Sequence, residues 1–150
     1  MPPLTTPLRP AEIALLEEAR RAVLGTQTPD GRPRLVPVTY AFDAEGEVLY
    51  SALDEKPKSV ADPRQLARVR DIVARPEVSL LVDRWSEEWS RLAWLRLDGE
   101  AVLLEPGDHA EEHAYALSLL YQRYPQYAEQ ALGERPILRI WLQRAVSWGL

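Results

Sequence analysis

Between Leu49 and Arg75 the chain orders small residues, lysines and arginines in a way that suits one kind of ligand. Leu49-Tyr-Ser-Ala-Leu53 is strand-like and runs into Asp54-Glu-Lys-Pro-Lys58, and the Arg-bearing helical pattern Asp62 to Arg75 follows at once. A strand can set Ser51 and Ala52 beside a flat ring, while Lys56 and Lys58 in the turn, with Arg64 and Arg68 after it, hold an anionic tail by charge-assisted hydrogen bonds. A flavin-like molecule has both parts. The plain alternatives are a solvated turn for the lysines and, for Arg64 and Arg68, pairing with Asp71 or Glu77 on an exposed face, where ion pairs contribute little.

Other chemistries lack their parts. The chain has no Cys, which removes disulfides, thiolate catalysis and Cys-ligated metal. It contains no G-x-G-x-x-G, Walker loop or G-x-S-x-G, and both histidines lie in one predicted helix. His109-Ala-Glu-Glu-His113 matches the H-x-x-E-H pattern of inverted zinc peptidases. The reading preferred here is a solvent-facing helix start, because such a metal site needs a third protein ligand and a water in a cleft. A net charge of -5 and a pI near 5.1 argue against a broad nucleic-acid surface, so the clustered cations are local. Residues 1–10 carry no apolar signal-like run and no segment approaches a membrane span, so no membrane partner and a cytoplasmic location are expected.

The elements that must position these residues read as follows. Pro10 to Arg20 is helical, with Ile13, Leu16 and Ala19 in phase and Pro10 at its first position. Ala22–Thr28 and Arg34–Phe42 form a hairpin around Asp30-Gly31, and Pro37, which cannot donate to a ladder, marks an edge or a bulge. Val48 to Leu53 returns after Asp43-Ala-Glu-Gly46 and completes a three-stranded meander. Asp62 and Gln65 resemble a capping box before a stripe of Leu66, Val69, Ile72 and Val73. Val78–Asp83 and Leu92–Leu104 are strands, the second bending at Gly99. A helix capped by Asp108 and Glu111 runs to Tyr124 with Ala114, Leu117, Tyr121 and Tyr124 on one side, and Ile137–Trp148 is the last strand. At 150 residues, with no repeat or linker, one domain over 1–150 is expected: mainly β with flanking helices (α+β), a six-stranded antiparallel barrel. Tyr40 on its strand, and Trp85, Trp89, Trp94 and Trp141, read as packing or interface rings.

The chain resembles the split-barrel family of pyridoxamine 5'-phosphate oxidase-like flavoproteins, in particular its small branch that uses the deazaflavin coenzyme F420. The likeness covers nearly all of it. It is carried by Thr28-Pro-Asp-Gly-Arg-Pro-Arg-Leu-Val-Pro-Val-Thr-Tyr40, Asp54-Glu-Lys-Pro-Lys58, Leu66-Ala-Arg-Val-Arg-Asp-Ile72 and Arg75-Pro-Glu-Val-Ser-Leu-Leu-Val-Asp83. Trp89-Ser-Arg-Leu-Ala-Trp-Leu-Arg-Leu-Asp-Gly-Glu-Ala101 and Arg144-Ala-Val-Ser-Trp148 extend it. The resemblance implies an FMN-binding split-barrel fold and a homodimer with cofactor sites between the subunits. It implies that Pro37, Val38 and Thr39 border the ring, that Ser51 and Ala52 lie beneath it, and that Lys56, Lys58 and Arg64 or Arg68 hold phosphate. Trp148 is the expected ring-side aromatic from the second subunit. The chain stops at Leu150 without the longer C-terminal part of true pyridoxamine phosphate oxidases, so vitamin B6 oxidation is not expected.

The activity this implies is hydride transfer from reduced F420 to a small unsaturated molecule, with the ring supplying the chemistry. FMN is the rival cofactor, and Lys56, Lys58, Arg64, Arg68 and Arg70 favour the longer anionic tail of F420. Three alternatives stand beside it: an FMN-dependent reductase or oxidase, a non-catalytic carrier of flavin, deazaflavin or haem, and a structural dimer with a degenerate site.

Overall fold

A computed structural model describes residues 4–54 and 61–150. Its centre is one antiparallel sheet. The strands are β1 (Ala22–Gln27), β2 (Pro33–Val38), β3 (Ala41–Asp43), β4 (Val48–Ala52), β5 (Glu77–Arg84), β6 (Ala93–Leu104) and β7 (Ile137–Trp148), in the spatial order β2-β1-β5-β6-β7-β4-β3. Three helices flank it: α1 (Pro10–Glu18), α2 (Ala67–Ala74) and α3 (Ala110–Arg123). Among the described residues, no helix is long and apolar enough to cross a membrane.

Seven strands stand where six were expected, because the Arg34–Phe42 run breaks in two. β2 ends at Val38 and β3 begins at Ala41, yet they lie at opposite edges of the sheet. Two residues reach only a few ångströms, so the sheet must curl until its edges meet around Thr39-Tyr40. The barrel is split there, with no ladder joining β2 to β3. Tyr40 explains the break. Its N–H donates to the Tyr124 hydroxyl (3.1 Å) instead of a neighbouring strand, and its own fully buried hydroxyl donates to the carbonyls of Leu16 (2.6 Å) and Ala19 (3.2 Å). Those carbonyls end α1 and have no partner within the helix. Arg123 reaches the same carbonyls, so a strand break, a helix end and α3 share one set of bonds.

The expected meander therefore divides into two hairpins, β1–β2 and β3–β4, carried on different flanks by β5 and β7. Pro37 lies on an edge strand, as its missing N–H demanded. Gly31, at φ 85°, closes the first hairpin, its N–H bonding the Thr28 carbonyl. The bend at Gly99 is a bulge: the register of β6 on β7 shifts between Asp98 and Gly99, and a Cβ on Gly99 would collide with the Trp141 carbonyl.

The core has two parts. Leu24, Leu49, Leu80, Leu95, Leu97 and Ile140 fill the barrel, and Tyr50, Leu104, Ala116, Leu120, Tyr124 and Tyr127 pack beneath α3. The stripe of α3 is displaced from the expected one. His113, Ala116 and Leu120 face inward while Ala114 is exposed. His113 replaces an apolar residue because its Nε2 donates to the Arg135 carbonyl at 2.6 Å, which removes the cost of burying it. It is not solvent-facing, while His109 is, and among the described residues no three metal-ligating side chains gather. On α2, Val73 is exposed and Asp71 is buried with Val69 and Ile72.

Candidate functional site

The candidate site forms where β4 ends against the β2–β3 crossing. β4 buries every residue, because one face lies in the barrel and the other under α3. Alternation then separates the two small residues. Ala52 packs in the cluster under α3, while Ser51 is turned so that its hydroxyl donates to the Thr39 carbonyl at 2.6 Å. That bond ties the end of β4 to the crossing. Val38 is buried in the barrel core, Pro37 is exposed on the edge, and Thr39 is half-buried between them.

Three residues not singled out for roles in the sequence complete the group. Pro125 ends α3 and starts a short 3-10 turn, Pro125–Glu129, that carries Tyr127 inward. The Tyr127 hydroxyl donates to Oδ2 of the buried Asp54 (2.9 Å) and lies 2.5 Å from Thr39 Oγ1. A phenol has one proton, and Tyr127 gives it to the carboxylate, so the Thr39 hydroxyl must donate to Tyr127. Thr39 Oγ1 keeps only accepting capacity. Burial raises the Tyr127 pKa, and the Asp54 charge adds to the rise, so the phenol stays protonated. Arg135, ahead of Pro136 and β7, donates from Nε to the Leu53 carbonyl (2.5 Å) and from its terminal nitrogen to the Asp54 carbonyl (2.9 Å). Asp54 is thus held by main chain and side chain together. Tyr127 and Arg135 leave no trace in periodicity or motif, since both lie in the irregular link from α3 to β7.

The two arginines separate. Arg64 is engaged elsewhere, with Nε and a terminal nitrogen on the Glu105 carboxylate (2.9 and 2.8 Å) and a further bond to Asp62 (3.3 Å). These contacts raise its pKa, the Glu105 hydrogen bond most. Arg68, on the first turn of α2, has a buried Nε with no hydrogen-bond partner among the described residues. Burial presses its pKa down and the charge of Asp54 works against that. A buried donor left unpaired costs roughly 1–3 kcal/mol, and a half-buried guanidinium with such a donor suits an anion. Neither arginine pairs with Asp71, which accepts instead from Arg34 Nε (2.7 Å) and Thr26 Oγ1 (2.8 Å). Lys56 and Lys58 lie outside the described residues.

Trp148 is more than half exposed and stands beside Trp94 at the far end of β7 from Ile137, the partner of Ala52. A 12-residue extended strand separates it from the group around Asp54, roughly 40 Å along the chain. Below Trp148, the outer face of β1, β2, β5 and β6 holds a shallow depression lined by Val23, Gly25, Leu35, Leu81, Trp94 and Arg96.

The structure of a conserved hypothetical protein from Mycobacterium tuberculosis superposes with a TM-score of 0.72, covering 99% of this chain and 89% of that one at 19% identity. A protein described as an F420 reductase gives 0.63, covering 95% and 100% at 20% identity. HutZ, the heme storage protein of Vibrio cholerae, gives 0.67, covering 95% and 94% at 14% identity. At such identities the shared property is the fold, which is that of the split barrels. No curated protein matches the chain by sequence. The sequence model of the pyridoxamine 5'-phosphate oxidase family, however, matches residues 8–149, and the chain belongs to that family.

Proposed function

We propose that the chain binds coenzyme F420, or FMN as the rival, at the end of β4 and acts as an oxidoreductase on a small unsaturated molecule. The observation that carries this reading is Arg68, a half-buried arginine whose buried Nε has no hydrogen-bond partner among the described residues and which feels the charge of Asp54, just beyond β4. Family membership supplies the flavin-type ring, and an F420 reductase among proteins of the same fold supports the deazaflavin. When bound, the reduced ring supplies hydride to the acceptor. The chain's part is to hold the anionic tail at Arg68, with Lys56 and Lys58 in the same role. Thr39 offers a lone pair to a ring N–H, and Ser51 fixes the Thr39 main chain. Arg64 is not in this set, because Glu105 already neutralises it.

The second subunit belongs to the same proposal. Leu35 and Leu81 are exposed and line an apolar depression together with Trp94, the ladder partner of the exposed Trp148, and exposed apolar surface of this kind marks interaction sites. A second copy of the chain would cover it by two-fold pairing. Trp148, remote from Asp54 within one subunit, would then meet the ring from the other.

A carrier role is the second reading, favoured by the heme storage protein that shares the fold. Titrating the purified protein with F420, FMN and haemin, followed by turnover assays with reduced F420 and a panel of enones and nitroaromatics, separates the readings. Micromolar F420 binding with oxidation of the reduced cofactor supports the oxidoreductase. Binding of haemin alone replaces it with the carrier, and binding of none of the three ends both.

A further inference from the structure

We infer that Thr39 selects the ligand's ring by its imide edge, because Tyr127 and Asp54 turn the Thr39 hydroxyl into an oxygen that accepts and cannot donate; the inference rests on the binding reading above. Protons around the crossing are already committed. The Tyr127 hydroxyl gives its own to Asp54 Oδ2 at 2.9 Å, and the Thr39 hydroxyl gives its own to Tyr127 at 2.5 Å. Ser51 Oγ donates to the Thr39 carbonyl at 2.6 Å, and the Tyr40 N–H donates to the Tyr124 hydroxyl at 3.1 Å. A further interaction of Asp54 leaves this direction unchanged, because an ionised carboxylate accepts from every partner. Reversing the chain would set the lone pairs of a buried phenol against that carboxylate with no proton between them. The Tyr127 ring also packs on Tyr124 at 5.6 Å between centroids, which keeps the phenol in place.

An oxygen that only accepts, on a half-buried residue, sorts what it meets. A ligand carbonyl would set lone pair against lone pair, whereas an N–H would complete the chain. The oxidised flavin ring and its deazaflavin counterpart each carry a single N–H, the imide between two carbonyls. That edge is the one assigned to the crossing, and a site built to bond a ligand's N–H rejects the analogue that lacks it. Thr39 touches the ligand in this assignment, and Tyr127 is a positioning residue. Without the Tyr127 hydroxyl, Thr39 regains a proton to give and can turn it to one of the flanking carbonyls.

The experiment compares FMN and F420, each beside its imide-N-methyl derivative, which keeps the carbonyls and loses the N–H. Affinities are measured on wild type, Thr39→Val, Thr39→Ser and Tyr127→Phe, with melting temperatures recorded alongside. Wild type prefers the parent ring. In Thr39→Val that preference shrinks about tenfold, the worth of one hydrogen bond, because the parent binds more weakly, and Thr39→Ser keeps it. In Tyr127→Phe it shrinks through tighter binding of the methylated ring while the parent holds, which a loosened fold would not give. A wild type that binds parent and methylated rings alike, or an unchanged preference in Thr39→Val, overturns the inference while the binding reading stands. Tyr127→Phe with no gain for the methylated ring also overturns it, since Tyr127 then does not set the direction of the Thr39 hydroxyl. A wild type that binds no ring at all defeats the binding reading itself.

Discussion

Asp71 shows how a charged residue survives in this core. It is buried, which opposes ionisation, but the hydrogen bonds from Arg34 and Thr26 outweigh that and hold its pKa below the usual carboxylate range. A depressed carboxylate contributes stability that is complete above the unfolded value of about 3.9 and is lost as pH falls through the folded value. Asp71→Asn is therefore expected to cost about 2 kcal/mol at neutral pH and to flatten the acid limb below pH ~4. Chemical denaturation at pH 7 and pH 3 checks both, and equal losses at the two pH values would refute the assignment. At this scale the sequence was partly legible. Arg68 could be singled out because cations after a strand are conspicuous, whereas its difference from Arg64 depends on Glu105, 41 residues from Arg64. Tyr127 and Arg135 act through hydroxyl and main-chain bonds that no local pattern encodes.

At the scale of elements, periodicity located the helices and most strands, and Pro37 and Gly99 were readable because a missing N–H and a missing Cβ each admit few structural uses. The break at Thr39-Tyr40 was not. The run from Arg34 to Phe42 alternates as one strand would, and only the long-range bond from Tyr40 to Tyr124 divides it. Likewise, His113 took an inward position that a hydrophobic pattern assigns to Ala114, because its ring nitrogen finds the Arg135 carbonyl. Two substitutions test these elements. Gly99→Ala should lower stability by about 2 kcal/mol, since the added methyl meets main chain and cannot be relieved by a rotamer change. Tyr40→Phe leaves the α1 carbonyls one donor short and should cost about 1 kcal/mol. Thermal melts read both. An unperturbed Gly99→Ala protein would mean that the bulge can absorb a side chain.

The whole molecule is a curled sheet whose two edges meet at a covalent crossing, and the candidate site lies at that seam. We assign its outer face to a second copy of the chain. Leu35→Glu with Leu81→Glu, both at exposed positions, should leave the fold intact and convert a dimer into monomers in analytical ultracentrifugation. A wild type that sediments as a monomer at tens of micromolar would remove the second subunit from the account. The fold was legible at this scale through the order of its segments, while the extra strand and the open seam depended on contacts between residues far apart. The central claim is that Arg68, with its unpaired Nε, takes an anionic cofactor tail. Calorimetric titration of F420 into wild type and Arg68→Ala tests it most directly. The account predicts micromolar or tighter binding to wild type, weakened by about 10- to 100-fold in Arg68→Ala with little change in melting temperature. Equal affinity in the two proteins would contradict it.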